Sequence, residues 1–343
     1  MNQAIESTGD SSSNNIKGHI NDHDDEEILA LISQLPKTKG WLKFGMSQYQ
    51  DFWCPPNLVA NVIRFQQHFQ AQDHDIILAS HPKSGTIWLK ALLYSIINRH
   101  RYTSSNTPLL NSNPHQLIPF FEFTLYSSDT KPPNNSISYD PSPRLFSTHI
   151  PYASMADSIK HSSKCKIVYI SRNPLDVLVS FWHFASWQPE RIEEWTMEEY
   201  VEKFCNGETV FGPFWNHVLG YWKESLEKPE KVLFLKYEEM KEDFVVQVKK
   251  LADFVGFPFS REEESQGVIE QISNLCSFSN LKDLDVNKHG KLMSNGLENK
   301  SYFRKGKVGD WVNHLSPSMA ARLNTVMKEK FRGSGLTFER SSC

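Results

Sequence analysis

Ser80-His81-Pro82-Lys83-Ser84-Gly85-Thr86-Ile87-Trp88-Leu89-Lys90 follows an apolar run, Ile76-Ile77-Leu78-Ala79, and leads into a helical stretch from Trp88 to Asn98. The apolar run reads as a buried strand, so the chain passes from strand to helix through Lys-Ser-Gly-Thr. A turn of this kind makes an anion cradle. The unpaired N–H groups of the first helical turn point at a phosphate, and the helix dipole adds to their pull. Gly85 permits close approach of the backbone, Lys83 brings a point charge, and Ser84 and Thr86 bring hydroxyls. Taken alone, the loop is equally consistent with an ordinary capped helix start. It is not a Walker A loop, in which the lysine follows the last glycine. Here Lys83 comes two residues before Gly85, so ATP with Mg²⁺ is not the expected ligand.

Outward from this loop, short apolar runs alternate with helical stretches. Strands are expected at 76–80, 144–149, 166–171 and 231–237. Helices are expected at 56–69, 88–98, from Pro174, at 196–205, at 213–227 and at 238–255. Such alternation predicts an α/β fold, a single domain with a central parallel sheet flanked by helices. Residues 1–23, rich in Ser, Asn, Gly and Asp, read as a disordered tail, with the folded domain spanning 24–343 from a helix capped by Asp24. The Pro-, Ser- and Asn-rich stretch 101–143 reads as a binding lid or a disordered insertion.

Composition limits the function classes. Among 343 residues, 12% are aromatic, including nine Trp and 22 Phe, which suits an aromatic-lined cavity and equally a large core. The formal net charge of −3 argues against a nucleic-acid or anionic-membrane surface, so any phosphate binding must be local. Five scattered cysteines support neither a disulfide framework nor a zinc site. The polar amino terminus lacks the apolar stretch of a signal peptide, and no run reaches membrane-spanning length; the chain reads as cytoplasmic.

In open parallel sheets, ligands bind beyond the carboxyl ends of the strands. Four strands deliver polar residues there: Lys83 to Thr86 after the first, His149 at the second, Arg172 after the third and Tyr237 at the fourth. This convergence says more than any one motif.

The motifs themselves are Pro-Lys-Ser-Gly-Thr-x-Trp at 82–88, Thr-His-x-Pro at 148–151 and Tyr-Ile-Ser-Arg-Asn-Pro-x-Asp-x-x-Val-Ser at 169–180. To these are added Leu-Lys-Tyr-Glu at 235–238 and Arg-Lys-Gly-Lys-Val-Gly-Asp-Trp at 304–311. In order and spacing they resemble the cytosolic sulfotransferases. Leu35-Pro36-Lys37, Tyr49-Gln50-Asp51-Phe52-Trp53 and Gly333-Ser334-Gly335-Leu336-Thr337-Phe338 resemble the plant branch. The resemblance implies transfer of a sulfuryl group from 3′-phosphoadenylyl sulfate (PAPS) to a small-molecule hydroxyl, without metal. Plant relatives act on flavonoids, brassinosteroids, hydroxyjasmonates and desulfoglucosinolates.

By resemblance, the P-loop-like PAPS-binding loop Lys83, Ser84, Gly85, Thr86, Ile87 and Trp88 would hold the 5′-phosphosulfate. Arg172, Ser180, Arg304, Lys305 and Gly306 would meet the 3′-phosphate. Trp88 and Phe278 would sandwich the adenine, with Tyr237 and Cys276 close to it. His149 would be the general base, Lys83 the electrostatic catalyst and Ser180 its modulator. A lone histidine at a strand end is more often structural; the surrounding motif reverses that reading.

Some positions depart from the family pattern. Ile87 replaces a second threonine common in relatives, Val312 stands where a lysine is usual, and Ser147 stands where animal members carry a second active-site lysine. Trp53, Tyr152 and Phe181 are candidate acceptor lining, each with core packing as an equal alternative. A non-catalytic nucleotide-binding protein and a nucleotide kinase are the rival readings. Oligomeric state is not legible.

Overall fold

The computed structural model describes residues 22–40, 45–127, 143–187, 195–292 and 297–338. Its central sheet has four parallel strands: β1 (Ile76–Ser80), β2 (Leu145–Thr148), β3 (Lys166–Ser171) and β4 (Val232–Lys236). They lie in the order β2-β1-β3-β4, so the first strand in sequence is internal. The expected strands all form, and the fold class is the α/β sheet read from the sequence.

Their continuous apolar runs have a direct cause. Ile77, Ala79, Ile167 and Tyr169 face one apolar layer, while Ile76, Leu78, Val168 and Ile170 face the other. A strand buried on both faces leaves no place for alternating polar residues. Helices α2 (Pro56–His68), α4 (Pro174–Ser186) and α6 (Phe214–Glu227) pack on the first face through Val59, Val177 and Val218. Helix α3 (Thr86–Asn98) covers the second through Leu89, Leu92 and Ile96. α5 (Met197–Cys205) and α9 (Pro317–Lys330) join the first layer.

Four expectations need correction. Helix α1 spans Asp22–Gln34, so its backbone starts two residues before the expected boundary of the tail; the rest of that call, 1–21, lies outside the described residues. Helix α3 begins at Thr86, not Trp88, because Gly85 serves as its N-cap. The expected helix 238–255 is two, α7 (Tyr237–Glu242) and α8 (Phe244–Val255). Asp243 leaves the helical region between them at φ −128°, ψ 66°.

The fourth concerns 101–143, of which 128–142 lie outside the described residues. The rest is neither lid nor insertion. Thr107 caps a 3₁₀ turn, Asn113 and Gln116 form a capping box, and Phe121–Leu125 make one π-helical turn. Leu109, Ile118 and Phe121 are fully buried. The Pro, Asn and Thr that looked like breakers are the caps of packed short helices. Among the described residues no helix is long and apolar enough to cross a membrane.

At the sheet edge opposite the strand carboxyl ends, Arg144 grips the buried Asp75 with Nε and Nη2 at 2.7 and 2.6 Å. Asp75→Asn leaves that guanidinium without its counter-charge. Unfolding free energy should fall by about 3 kcal/mol, read from denaturant curves; a loss below about 1 kcal/mol would make the pair dispensable.

Candidate active site

Beyond Ser80 the chain turns into α3 over His81–Gly85, and two residues adopt left-handed backbone: Lys83 at φ 69° and Gly85 at φ 109°. Glycine is required at the second for a further reason. A Cβ there would stand 2.7 Å from Cδ2 of Tyr237, at the end of β4. Gly85 brings no side-chain cap to α3, which leaves the first-turn N–H groups for a ligand. Thr86 Oγ1 is instead tied to Ser80 Oγ at 2.7 Å.

These groups open on a cavity of about 700 Å³. Lys83, Gly85, Thr86, Ile87 and Trp88 line one wall, with Arg172 and Ser180 beside them. Tyr237, Phe278, Arg304, Lys305 and Gly306 line it as well, and so does His149, whose ring centroid lies 4.9, 6.0 and 5.7 Å from those of Phe120, Phe123 and Phe211. Two sequence-derived candidates do not reach the wall. The Ser84 hydroxyl is buried without a partner. Cys276 is turned away, its Sγ 3.3 Å from Ser95 Oγ, while Ser277 and Phe278 face the cavity.

The cations here are held in specific ways. Lys83 Nζ sits 3.9 Å above the Phe184 ring and 5.7 Å from that of Tyr302. Burial, with like charge from Arg304 and Arg172, lowers its pKa to about 7. Arg172 lies over the Tyr237 ring and donates from Nη2 to Lys307 O at 2.7 Å. Arg304 and Lys305 both pair with Asp310. Asp176, wholly buried on α4, accepts main-chain N–H bonds from Gly309 and Trp311 at 2.7 and 3.1 Å, which fastens the 304–311 loop. The Nε atoms of Arg172 and Arg304 are buried without protein partners. Such unfilled donors, set among cations and helix N–H groups, fit an anionic nucleotide.

His149 is nearly buried, and its Nδ1 lies 2.6 Å from Ser80 O. A carbonyl only accepts, so Nδ1 carries the proton and Nε2 is the basic nitrogen. Behind it His217 donates from Nε2 to His149 O at 2.8 Å and accepts at Nδ1 from Tyr169 Oη at 2.9 Å. Burial, reinforced by Lys90, His217 and Lys83 and opposed by the Ser80 carbonyl, brings the His149 pKa down to about 3. The ring is neutral at any physiological pH.

The cavity lining also includes Phe120, Phe123, Phe181, Phe184 and Phe211. Phe181 was anticipated. Tyr152 instead packs edge-on against Tyr221, and Trp53 sits in a small antiparallel sheet and bridges to Val210; neither lines the cavity. Asp176 and Asp310 were missed, although both stand inside the quoted motifs. Carboxylates standing among the cations of those motifs were the available signal.

Cations, helix N–H groups, aromatic rings and a neutral imidazole thus line one cavity. Such a lining suits a group transferase that takes an anionic nucleotide. The Sulfotransferase domain family model matches residues 73–335. Cytosolic sulfotransferase 15 of Arabidopsis thaliana is 45% identical over 320 residues, covering 92% of this chain and 88% of that protein. The crystal structure of an Arabidopsis thaliana protein, with steroid sulphotransferase as its suggested activity, is 40% identical, covering 94% of this chain and 99% of that one, with a TM-score of 0.72. Mouse sulfotransferase SULT7A1 complexed with PAP is 28% identical, covering 84% and 96%, with a TM-score of 0.65. The chain belongs to the sulfotransferase family and is a PAPS-dependent sulfotransferase.

The Lys83 environment carries a pH prediction. A bound phosphate stabilises the ammonium and raises its pKa above the free value of about 7. PAP affinity should therefore be flat below neutrality and fall as pH rises, by at most about tenfold per unit. Calorimetric titrations on either side of neutrality test this. Lys83→Met should lose the slope, and a slope that persists in it would assign the proton elsewhere.

Proposed function

We propose that this enzyme transfers the sulfuryl group of PAPS to a hydroxyl of a small-molecule acceptor, with His149 as general base. The observation that carries this reading is the tautomer of His149, which leaves an unprotonated Nε2 on a ring that lines the cavity shared by the cations and the phenylalanines. PAPS, when bound, supplies an activated sulfuryl group with a phosphate leaving group.

The residues of the chain divide the remaining work. Phe120, Phe123, Phe181 and Phe211 receive the apolar body of the acceptor, a plant metabolite or hormone such as a flavonoid, brassinosteroid or hydroxyjasmonate. His149 Nε2 takes the hydroxyl proton as the acceptor oxygen bonds to sulfur. Its low basicity in the free site keeps it ready, and a polyanionic donor nearby stabilises the imidazolium as it forms. Lys83 and the N–H groups of Gly85–Trp88 stabilise the charge left on the departing phosphate oxygen. Ser180 modulates Lys83 and joins Arg172, Arg304, Lys305 and Gly306 on the 3′-phosphate. Trp88, Phe278 and Tyr237 take the adenine, and Ile87 contributes its backbone N–H alone. Transfer of this kind is in-line and loose, so placement and electrostatics supply most of the acceleration.

The working unit is a single domain that includes α1, whose Ile28 and Ile32 are buried in the first apolar layer. Its setting is the cytosol, as the names of its relatives suggest.

His149→Ala should lower turnover at least about 100-fold while PAP affinity stays within about twofold. Labelled PAPS with a panel of phenols and alcohols reads the first, calorimetry the second. Retained turnover would remove His149 from the role of base.

A further inference from the structure

A carboxylate lies beneath the base, wholly shielded from solvent. Glu122 belongs to the π-helical turn Phe121–Leu125, and Phe120 and Phe123 on either side of it line the cavity. Its Oε1 accepts the main-chain N–H of His149 at 2.6 Å, and its Oε2 accepts Thr148 Oγ1 at 3.0 Å. Thr148 Oγ1 in turn accepts Ile150 N–H at 2.9 Å. One side chain thus organises three successive residues at the end of β2. The turn is itself tied to α2, since Glu122 O accepts from Asn61 Nδ2 at 2.8 Å.

His149 therefore has three anchors, one of them the His217 bond to its carbonyl. Ser80 O fixes the ring from β1, and Glu122 fixes the main chain from the acceptor wall. A side chain that served packing alone would be apolar here, because burying a carboxylate is costly. That cost is visible, with burial raising the Glu122 pKa to about 7 against the pull of its hydrogen bonds and of Lys90. Lys90 is equally buried, on α3. Its Nζ donates to Ile118 O at 2.7 Å and stands 3.5 Å from the centroid of Phe120, whose ring is 4.9 Å from that of His149. Ser147, where animal relatives carry their second lysine, donates to the same Ile118 carbonyl at 3.3 Å.

We infer that Glu122 is a positioning residue for His149, acting through the histidine main chain to hold Nε2 in register with the acceptor wall of its own π-turn. The inference rests on the reading of His149 as base. Base and acceptor wall form one piece, so loss of Glu122 should act on turnover and leave donor binding alone.

The test uses the full-length enzyme with Glu122→Ala, Glu122→Gln and Glu122→Asp, each also combined with His149→Ala. Displacing a base by about 1 Å can cost about 100-fold, so E122A should lower kcat by about 30- to 100-fold with PAP affinity within about twofold. Glutamine keeps an oxygen of the same reach for the His149 N–H and should return kcat to within about fivefold of wild type. Aspartate keeps the charge but not the reach and should stay close to alanine. In the H149A background, E122A should cost nothing further, as expected of residues acting as one unit.

Wild-type kcat in folded E122A, with only a lower melting temperature, would overturn the inference. So would a loss of PAP affinity matching the loss of kcat, or an equal further loss in H149A. Should E122A fail to fold, the comparison of Gln with Asp decides alone, and aspartate matching or exceeding glutamine refutes positioning by reach. The two readings fail differently. Normal turnover in H149A removes the base and this inference with it, whereas an inactive H149A beside fully active E122A and E122D removes only the inference.

Discussion

β1 is hydrogen-bonded in parallel on both sides, and its register sets Ala79 level with Thr148 and Tyr169, and Ser80 level with Ile170. The next pair in the sheet sets Ser171 level with Lys236. Each of these residues is within two positions of the end of its strand. The chain leaves the sheet at one height in four places, and Lys83, His149, Arg172 and Tyr237 follow within three residues. A slip of one residue in any strand would exchange the side chains of its two faces and mispack both apolar layers at once, so the two buried faces of the sheet enforce the geometry of the site. The 2.6 Å contact between His149 Nδ1 and Ser80 O is a direct result of that pairing.

Around this frame, each polar part is held by a specific neighbour. Asp176 grips the loop that carries Arg304 and Lys305 by two of its N–H groups. His217 buttresses the carbonyl of the base. Lys83 rests on an aromatic face rather than on a carboxylate, which holds the ammonium in place without neutralising it. Each support exchanges solvation for fixed direction, which is the requirement when catalysis depends on placement.

The sheet was legible because a strand buried on both faces has little choice but a continuous apolar run. The residues at the strand ends were legible because the chemistry of anion binding restricts them to few types. Side-chain direction was not legible. Cys276 and Phe278 lie two residues apart at a helix junction, and only the latter turns to the cavity. Trp53, Tyr152 and Phe181 have similar size and apolarity, and only tertiary packing separates pocket from core. Lys90 in Trp-Leu-Lys-Ala-Leu-Leu and Glu122 in Pro-Phe-Phe-Glu-Phe are single charges in apolar runs, and the letters do not tell an inward charge from one that escapes to water. Residues 101–127 were misread because caps and breakers share the same residue types.

Asp310 holds both Arg304 and Lys305 before any ligand arrives. On the reading proposed above, an anion bound at these cations meets charge already shared with a tethered carboxylate. The free energy gained there is smaller than bare cations would give. A nucleotide product that departs unchanged in its phosphate has no chemical means of loosening its own grip. A carboxylate that already shares those cations weakens that grip in advance, and so the strength of the resting pairs bears on how fast the enzyme can empty itself for another round.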